Sequence, residues 1–432
     1  MTAVKALLPA VAADSLRGRR LLARLAARGE RVLDRATERA AARIVRDVRR
    51  GGDRALLAAV ERHDGVRAES AAALRLVDAV PGAALAPGFA EALEAAIAAV
   101  ERYHAAQVHS GARTIHEGVE LEERRLPLAR VGVYVPGGRA VYPSSVVMTV
   151  VPARLAGVPE IVVATPPAAF AASAELRFTL ARLEVTEVWG MGGAHAIAAL
   201  AYGTETIARV DKILGPGNAW VSAAKREVSG AVAIDGLAGP SEVIVVAGWG
   251  EDPAWVAADL LAQAEHDPRA AAILVTDRAA FAAAVRVELE RQLAHLSTAA
   301  TARLSLAAFG VAFVAPDPHA AAALVDTLAP EHLQLVGSWA EQLAPRVQNA
   351  GAIFLGAFTP EVFGDYLAGP SHVLPTCGTA RFASALGVED FVRRSHVVHF
   401  SREAAARAAG RAAAFADAEG LPAHAAAARR RA

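Results

Sequence analysis

The sequence predicts an α/β protein built from two or more parallel-sheet units with small helical appendages. The chain runs to 432 residues, beyond the size at which a single hydrophobic core stops growing. Short apolar runs that read as strands alternate with amphipathic helical stretches, the pattern of β-α-β units. Three strand-to-helix junctions are rich in glycine, which points to a ligand at the carboxyl ends of a parallel sheet, where backbone N–H groups and helix N-termini welcome phosphate.

In order, Leu21 to Arg50 is amphipathic and helical, and Gly51-Gly52 breaks it. Ala55 to His63 is a second helix ending at Asp64-Gly65, and Gly88 to His109 a third. The texture changes near Leu126. Val131 to Val135 reads as a strand, Pro136-Gly137-Gly138 as a turn, Ser144 to Ala156 as a helix and Glu160 to Ala164 as a strand. The unit recurs as strand Val185 to Met191, turn Gly192-Gly193 and helix Ala194 to Tyr202. It recurs again as strand Val210 to Leu214, turn Gly215-Pro216-Gly217-Asn218 and helix Ala219 to Val228. A dinucleotide fits such a rim, although the strict Gly-x-Gly-x-x-Gly spacing is absent.

A second block follows. It has strands at Val243 to Val246, Ala271 to Thr276, Val311 to Val314 and Ala352 to Leu355, and helices at Pro253 to Glu265, Arg278 to Leu296 and His319 to Leu328. From Phe382 onward the chain reads as a helical tail, Glu403 to Glu419, broken by Gly420-Leu421-Pro422 and resumed with His424.

Composition narrows the function. Much of the 54% hydrophobic content is alanine, a helix former rather than a membrane residue, so the mean hydropathy of +0.30 does not signal a membrane protein. No stretch approaches the roughly 20 strongly apolar residues of a membrane span. Lys+Arg and Asp+Glu each number 45, leaving no global field to attract nucleic acid or an anionic membrane. A small substrate is expected. The N-terminus lacks the long apolar core of a signal peptide, and the lone Cys377 excludes an internal disulfide framework. The expected compartment is the cytoplasm.

Chemistry concentrates in the second block. Gln263 and His266, three apart at the end of an apolar helix that Pro268 stops, can face one metal ion. Alone, a His closing a helix C-terminus is the commoner arrangement, and a zinc centre takes four ligands. Asp365, after a glycine and outside any apolar periodicity, is a candidate third. Glu331-His332 sets an acid beside an imidazole just past Pro330, an arrangement that can serve two proton transfers. Glu419 and His424 add an oxygen donor and an imidazole at the extreme C-terminus, too far from the core to fold back easily unless the tail reaches a partner subunit.

Together these motifs resemble the histidinol dehydrogenases, the zinc enzymes that end histidine biosynthesis. The resemblance rests on Gly51-Gly52-Asp53, Tyr134-Val-Pro-Gly-Gly, Pro143-Ser-Ser, Gly215-Pro-Gly-Asn218, Ala238-Gly-Pro-Ser241-Glu, Gln263-Ala-Glu-His266, Glu331-His332, Gly364-Asp365-Tyr366, His372-Val-Leu-Pro-Thr and Leu421-Pro-Ala-His424, ordered along nearly the whole chain. It implies two Rossmann-like parallel-sheet domains, one inserted in the other, with small helical N- and C-terminal extensions. The expected boundaries are an arm at 1–27, a zinc-binding domain at 28–130 and 239–382, an NAD-binding domain at 131–238, and a tail at 383–432 that crosses to the partner of an intertwined homodimer.

By the same resemblance, one Zn2+ per subunit is held by Gln263, His266, Asp365 and the other subunit's copy of His424. L-histidinol completes the metal sphere and touches Ser241, His332 and Glu419, and NAD+ lies against Tyr134, His195 and Asn218. His332 takes the alcohol proton and Glu331 activates water for the aldehyde stage. Cys377 carries no role in the family's motifs, so a thiohemiacetal is not expected. The chain departs from the pattern at His195, where the family usually has Gln, and less at Ser371 and Gly236; NAD binding is expected to persist with altered affinity and pH dependence. A paralogue that oxidises another small alcohol is the nearest rival, and the Ser241, Glu331, His332 and Glu419 set argues for histidinol. The complete set of ligands and bases also argues against an inactive binding protein.

Overall fold

The computed structural model describes residues 7–29, 33–76, 85–137 and 141–432. Among them, three sheets organise the chain. A six-stranded, all-parallel sheet has the order Ala10–Ala12, Val311–Val314, Ala271–Thr276, Glu242–Ala247, His332–Val336, Ala352–Leu355. A five-stranded parallel sheet has the order Glu187–Gly190, Glu160–Thr165, Arg130–Tyr134, Lys212–Leu214, Ala233–Ile234. A three-stranded antiparallel sheet joins Val392–Phe400, Val119–Pro127 and Arg113–His116.

Both parallel sheets are covered on both faces, as continuous runs of Val, Ile and Leu require. Alternate side chains along Glu242–Ala247 serve two cores: Val243, Val245 and Ala247 enter one, Ile244 and Val246 the other. The five-stranded sheet does the same, with Tyr134, Val162 and Ala164 on one side and Val133, Val135 and Val163 on the other. These sheets bear out the α/β reading.

Packing groups the chain differently from the expected boundaries. The helix Arg35–Asp64 buries Val45, Val48, Leu56 and Val60 against Ile197, Leu200 and Val221. The helix Phe89–Ala105 buries Leu93, Ile97 and Val100 against Val146, Val147 and Val150 of the helix Pro143–Leu155. The helices Arg35–Asp64 and Phe89–Ala105 therefore clothe the five-stranded sheet. The strand Ala10–Ala12 and the helix Leu16–Ala26 belong to the six-stranded sheet, where Val11 and Leu25 share a core with Phe313.

Smaller differences have local causes. The single helix expected over 21–50 is two, because Asp34 caps a new start with bonds from the amides of Ala36 and Thr37. The break at Gly51-Gly52 is a kink inside one element: Gly52 adopts φ 52°, and the Glu205 carboxylate accepts the freed Asp53 N–H at 2.7 Å. The strand Val392–Phe400 lies where helix is expected, since most of its side chains are solvent-facing and give no alternating apolar signal. Of the first glycine turn, Gly138 lies outside the described residues. Among the described residues no helix is long and apolar enough to cross a membrane.

Candidate active site

The strands Glu242–Ala247 and His332–Val336 are neighbours at the point where strand order reverses in the six-stranded sheet. Glu331 and His332 stand at the amino end of the second of them. Ser241 Oγ donates to Glu331 Oε2 at 2.5 Å and the Glu242 amide donates to the same oxygen at 3.0 Å. Burial pushes the Glu331 carboxyl up to about 7, against the pull of those two donors. His332 turns Nδ1 toward the Glu242 carbonyl at 3.3 Å, and burial lowers its pKa, which favours the neutral imidazole.

Gln263 sits in the last turn of the helix Pro253–Ala264. The helix stops at Ala264, so His266 stands in the turn beyond rather than on the helical face; its amide donates to the Gln263 carbonyl at 3.3 Å. Gln263 is 0% exposed, and neither amide atom of its side chain has a hydrogen-bond partner. Leaving such a group unpaired costs about 1–3 kcal/mol. Both amide atoms are therefore available to a ligand.

The helix Glu361–Tyr366 brings Asp365 to the same region, where His332, Glu361 and Asp365 offer ligand atoms all within 4.8 Å of one another. Asp365 and His266 both act electrostatically on Glu331. One imidazole and two carboxylates within that 4.8 Å, beside a buried unpaired amide on the helix Pro253–Ala264, are donors that suit a divalent cation.

Glu361 is a participant the sequence reading missed. It is 2% exposed, both its carboxylate oxygens lack partners, and Oε1 lies 3.7 Å from His332 Nδ1. Burial, with Asp365 and Glu331 nearby, pushes its carboxyl up to about 9. Its place four residues before Asp365 on one helix was the available signal. His372 is a second such residue: Nδ1 donates to the Asp365 carbonyl at 3.0 Å while Nε2 is 3.5 Å from Ser145 Oγ. The site thereby abuts the helix Pro143–Leu155 of the five-stranded sheet.

Glu419 and His424 do not join this cluster within one chain. Both are exposed, on the hairpin formed by the helices Arg402–Ala418 and Pro422–Arg429, which packs on itself and on the strand Val392–Phe400.

The candidate dinucleotide residues lie at the carboxyl edge of the five-stranded sheet. Tyr134 is buried and its hydroxyl accepts from the Gly193 amide at 3.0 Å. Asn218 is exposed and caps the helix Ala219–Val228 through the amides of Trp220 and Val221. His195 is buried, with Nε2 at 2.8 Å from Asp64 Oδ2, and the same oxygen accepts the Gly192 amide at 3.0 Å. The N-terminus of the helix Gly193–Tyr202 thus already holds an internal carboxylate. Cys377 lies behind the catalytic strands, its thiol 3.6 Å from the Pro240 carbonyl. Burial pushes it up to about 12, so it supplies no thiolate near neutral pH.

Residues 27–432 match the histidinol dehydrogenase family. The chain is 46% identical over 406 residues to the histidinol dehydrogenase of Geobacter sulfurreducens, covering 93% of this chain and 94% of that one. It is 49% identical over 391 residues to that of Moorella thermoacetica, covering 88% and 91%. The solved histidinol dehydrogenase of Elizabethkingia anophelis superposes with a TM-score of 0.88 at 30% identity over 98% of each chain. A betaine aldehyde dehydrogenase of Staphylococcus aureus shares the fold alone, at TM-score 0.51 and 10% identity over 87% of this chain and 83% of that one. With its sheets, its buried acid–imidazole pair and these relatives in agreement, the chain belongs to the histidinol dehydrogenase family.

Proposed function

We propose that this protein oxidises L-histidinol through L-histidinal to L-histidine in two NAD-dependent stages, the end of histidine biosynthesis, as a cytoplasmic homodimer. The observation that carries the reading is the shared anchorage of Glu331 and His332 on the Glu242 peptide, beside Asp365. Gln263, His266 and Asp365 hold the zinc ion, with His424 supplied by a second copy of the chain. When bound, the zinc acts as a template that orients the substrate by its imidazole and amino nitrogens. Tyr134, His195 and Asn218 would hold NAD, which would supply the hydride acceptor for both stages.

The chain's own residues manage the protons. His332 keeps its Nδ1 proton on the Glu242 carbonyl, which leaves Nε2 as the lone pair that removes the alcohol proton as hydride departs. Glu331 is held by Oε2, so Oε1 is the oxygen that takes a proton from water adding to the aldehyde. A carboxyl with its pKa near 7 is matched to that task at neutral pH. His332 then takes the hydrate's proton as the second hydride leaves. Ser241 orients Glu331 and, with Glu419 from the second copy, contacts the substrate.

Counting NADH formed per L-histidinol consumed tests the proposal. A ratio of two supports the double oxidation. A ratio of one makes the protein a simple alcohol dehydrogenase, and no turnover with L-histidinol but turnover of another alcohol makes it a paralogue.

A further inference from the structure

We infer that Arg28, just past the first helix, is a positioning residue for this chemistry, clamping from behind the sheet the peptide on which Glu331 and His332 are both anchored. The inference rests on the roles proposed for those two residues. Arg28 follows the helix Leu16–Ala26, far in sequence from either. One guanidinium nitrogen donates to Glu242 Oε2 at 2.8 Å and the other to the Arg269 carbonyl at 2.7 Å. The guanidinium carbon lies 4.8 Å from the centre of the Phe309 ring. Both charged side chains of the Arg28–Glu242 pair are only 9% exposed. Two directional bonds and a stacked ring leave this planar fork little freedom.

Glu242 links that clamp to the site. Its side chain goes to Arg28, while its amide goes to the Glu331 carboxylate and its carbonyl to His332 Nδ1. On the edge facing His332–Val336, strand pairing begins only at Val243, opposite His332. Beside that pairing, the Glu331 carboxylate and His332 Nδ1 bond the Glu242 amide and carbonyl on the same edge. On the other edge Glu242 pairs with Ala271. The second bond of Arg28, to Arg269, fastens the turn that begins at His266. One side chain therefore fixes the orientation of both proton-transfer groups and the backbone beside a proposed metal ligand.

The test separates positioning from folding. Arg28→Met alone strands a buried carboxylate and risks unfolding, so Arg28→Met/Glu242→Gln, which removes both charges, is measured beside it. The double variant is expected to melt near the wild type, yet to lose about tenfold in kcat per folded molecule with L-histidinol, because small displacements of catalytic groups are costly. Its KM should move less than threefold, and zinc retention against a chelator should weaken. Arg28→Lys, which restores one bond of the two, should fall between. Wild-type kcat and zinc retention in the well-folded double variant would overturn the inference. So would losses that merely track the folded fraction. A control with His332→Asn distinguishes the two levels: wild-type activity there removes the functional reading as well, whereas a wild-type double variant beside an inactive His332→Asn removes the Arg28 clamp alone.

Discussion

His195 and Asp64 form a buried pair across the second glycine turn, with Nε2 and Oδ2 2.8 Å apart and the Gly192 amide on the same oxygen. The His195 ring also stacks on His63, centroids 5.8 Å apart. Asp64→Ala removes the acceptor of two donors at once and should cost about 1–3 kcal/mol in stability. NAD affinity, read by calorimetric titration, should fall as the turn loosens. His195→Gln keeps an N–H donor for Asp64 but loses the ring stack, so its NAD Kd should change by less than about tenfold, the equivalent of 1.4 kcal/mol. Unchanged NAD affinity in both variants would place the dinucleotide away from this turn.

Glu331 and His332 are neighbours to which different proton transfers are assigned, so their variants should fail at different stages. His332→Asn should lose about 10²–10⁴-fold in alcohol oxidation, the usual contribution of a general base. Glu331→Gln should still pass L-histidinol to the aldehyde but stall at hydration. Its NADH yield in one turnover should approach one per substrate, with the aldehyde trapped by a hydrazine reagent. Equal loss of both stages in Glu331→Gln would assign the carboxylate to substrate binding instead.

The parallel sheets were legible because strands buried on both faces read as continuous apolar runs, as in Glu242–Ala247. Helix starts were legible where the capping side chain was present, as at Asp252, Asp317 and Asn218. The adjacent Glu331 and His332 could be picked out, but not the edge of the sheet they occupy. Ligands of open α/β sheets usually meet the carboxyl ends, whereas this pair stands at the amino ends of its strands, a consequence of strand order that no local pattern encodes. Asp64 and Gly192 are 128 residues apart, so the occupied helix N-terminus was equally invisible. The proximity of Glu361 to His332 arises from how a short helix folds back over a strand, and its place four residues before Asp365 was the one local hint of it.

Glu361 should make the metal-free protein less stable as pH rises. Its carboxyl is pushed up to about 9 in the folded chain from an ordinary 4.5. Between those values the unfolded chain has lost the proton that the folded chain keeps, so stability falls as pH increases. Glu331 at about 7 and Asp259 at about 6 act in the same direction. Thermal melts of chelator-treated protein should drop from pH 5 to pH 9. Glu361→Gln should flatten the decline, with its largest gain at the alkaline end. Zinc should stabilise most at high pH, where ionised carboxylates are available to face it. A pH-independent melting curve for the metal-free wild type would refute the prediction.

The exposed His424 and the isolated tail hairpin make sense if each site is completed by the other chain, and mixing variants can test this. His424→Ala should lose zinc, and so should His266→Ala, each with little activity as a homodimer. In the reading proposed, a mixed dimer restores one complete site, since one chain supplies Gln263, His266 and Asp365 and the other an intact His424. Random exchange of equal amounts would then return about a quarter of wild-type activity and zinc, half the dimers being mixed and each carrying one of two sites. Sedimentation should find the wild type dimeric. If mixing recovers nothing after confirmed subunit exchange, or if His424→Ala retains full zinc, the metal is held within one chain and the fourth ligand is one of the unpartnered groups beside Asp365, with Glu361 first among them.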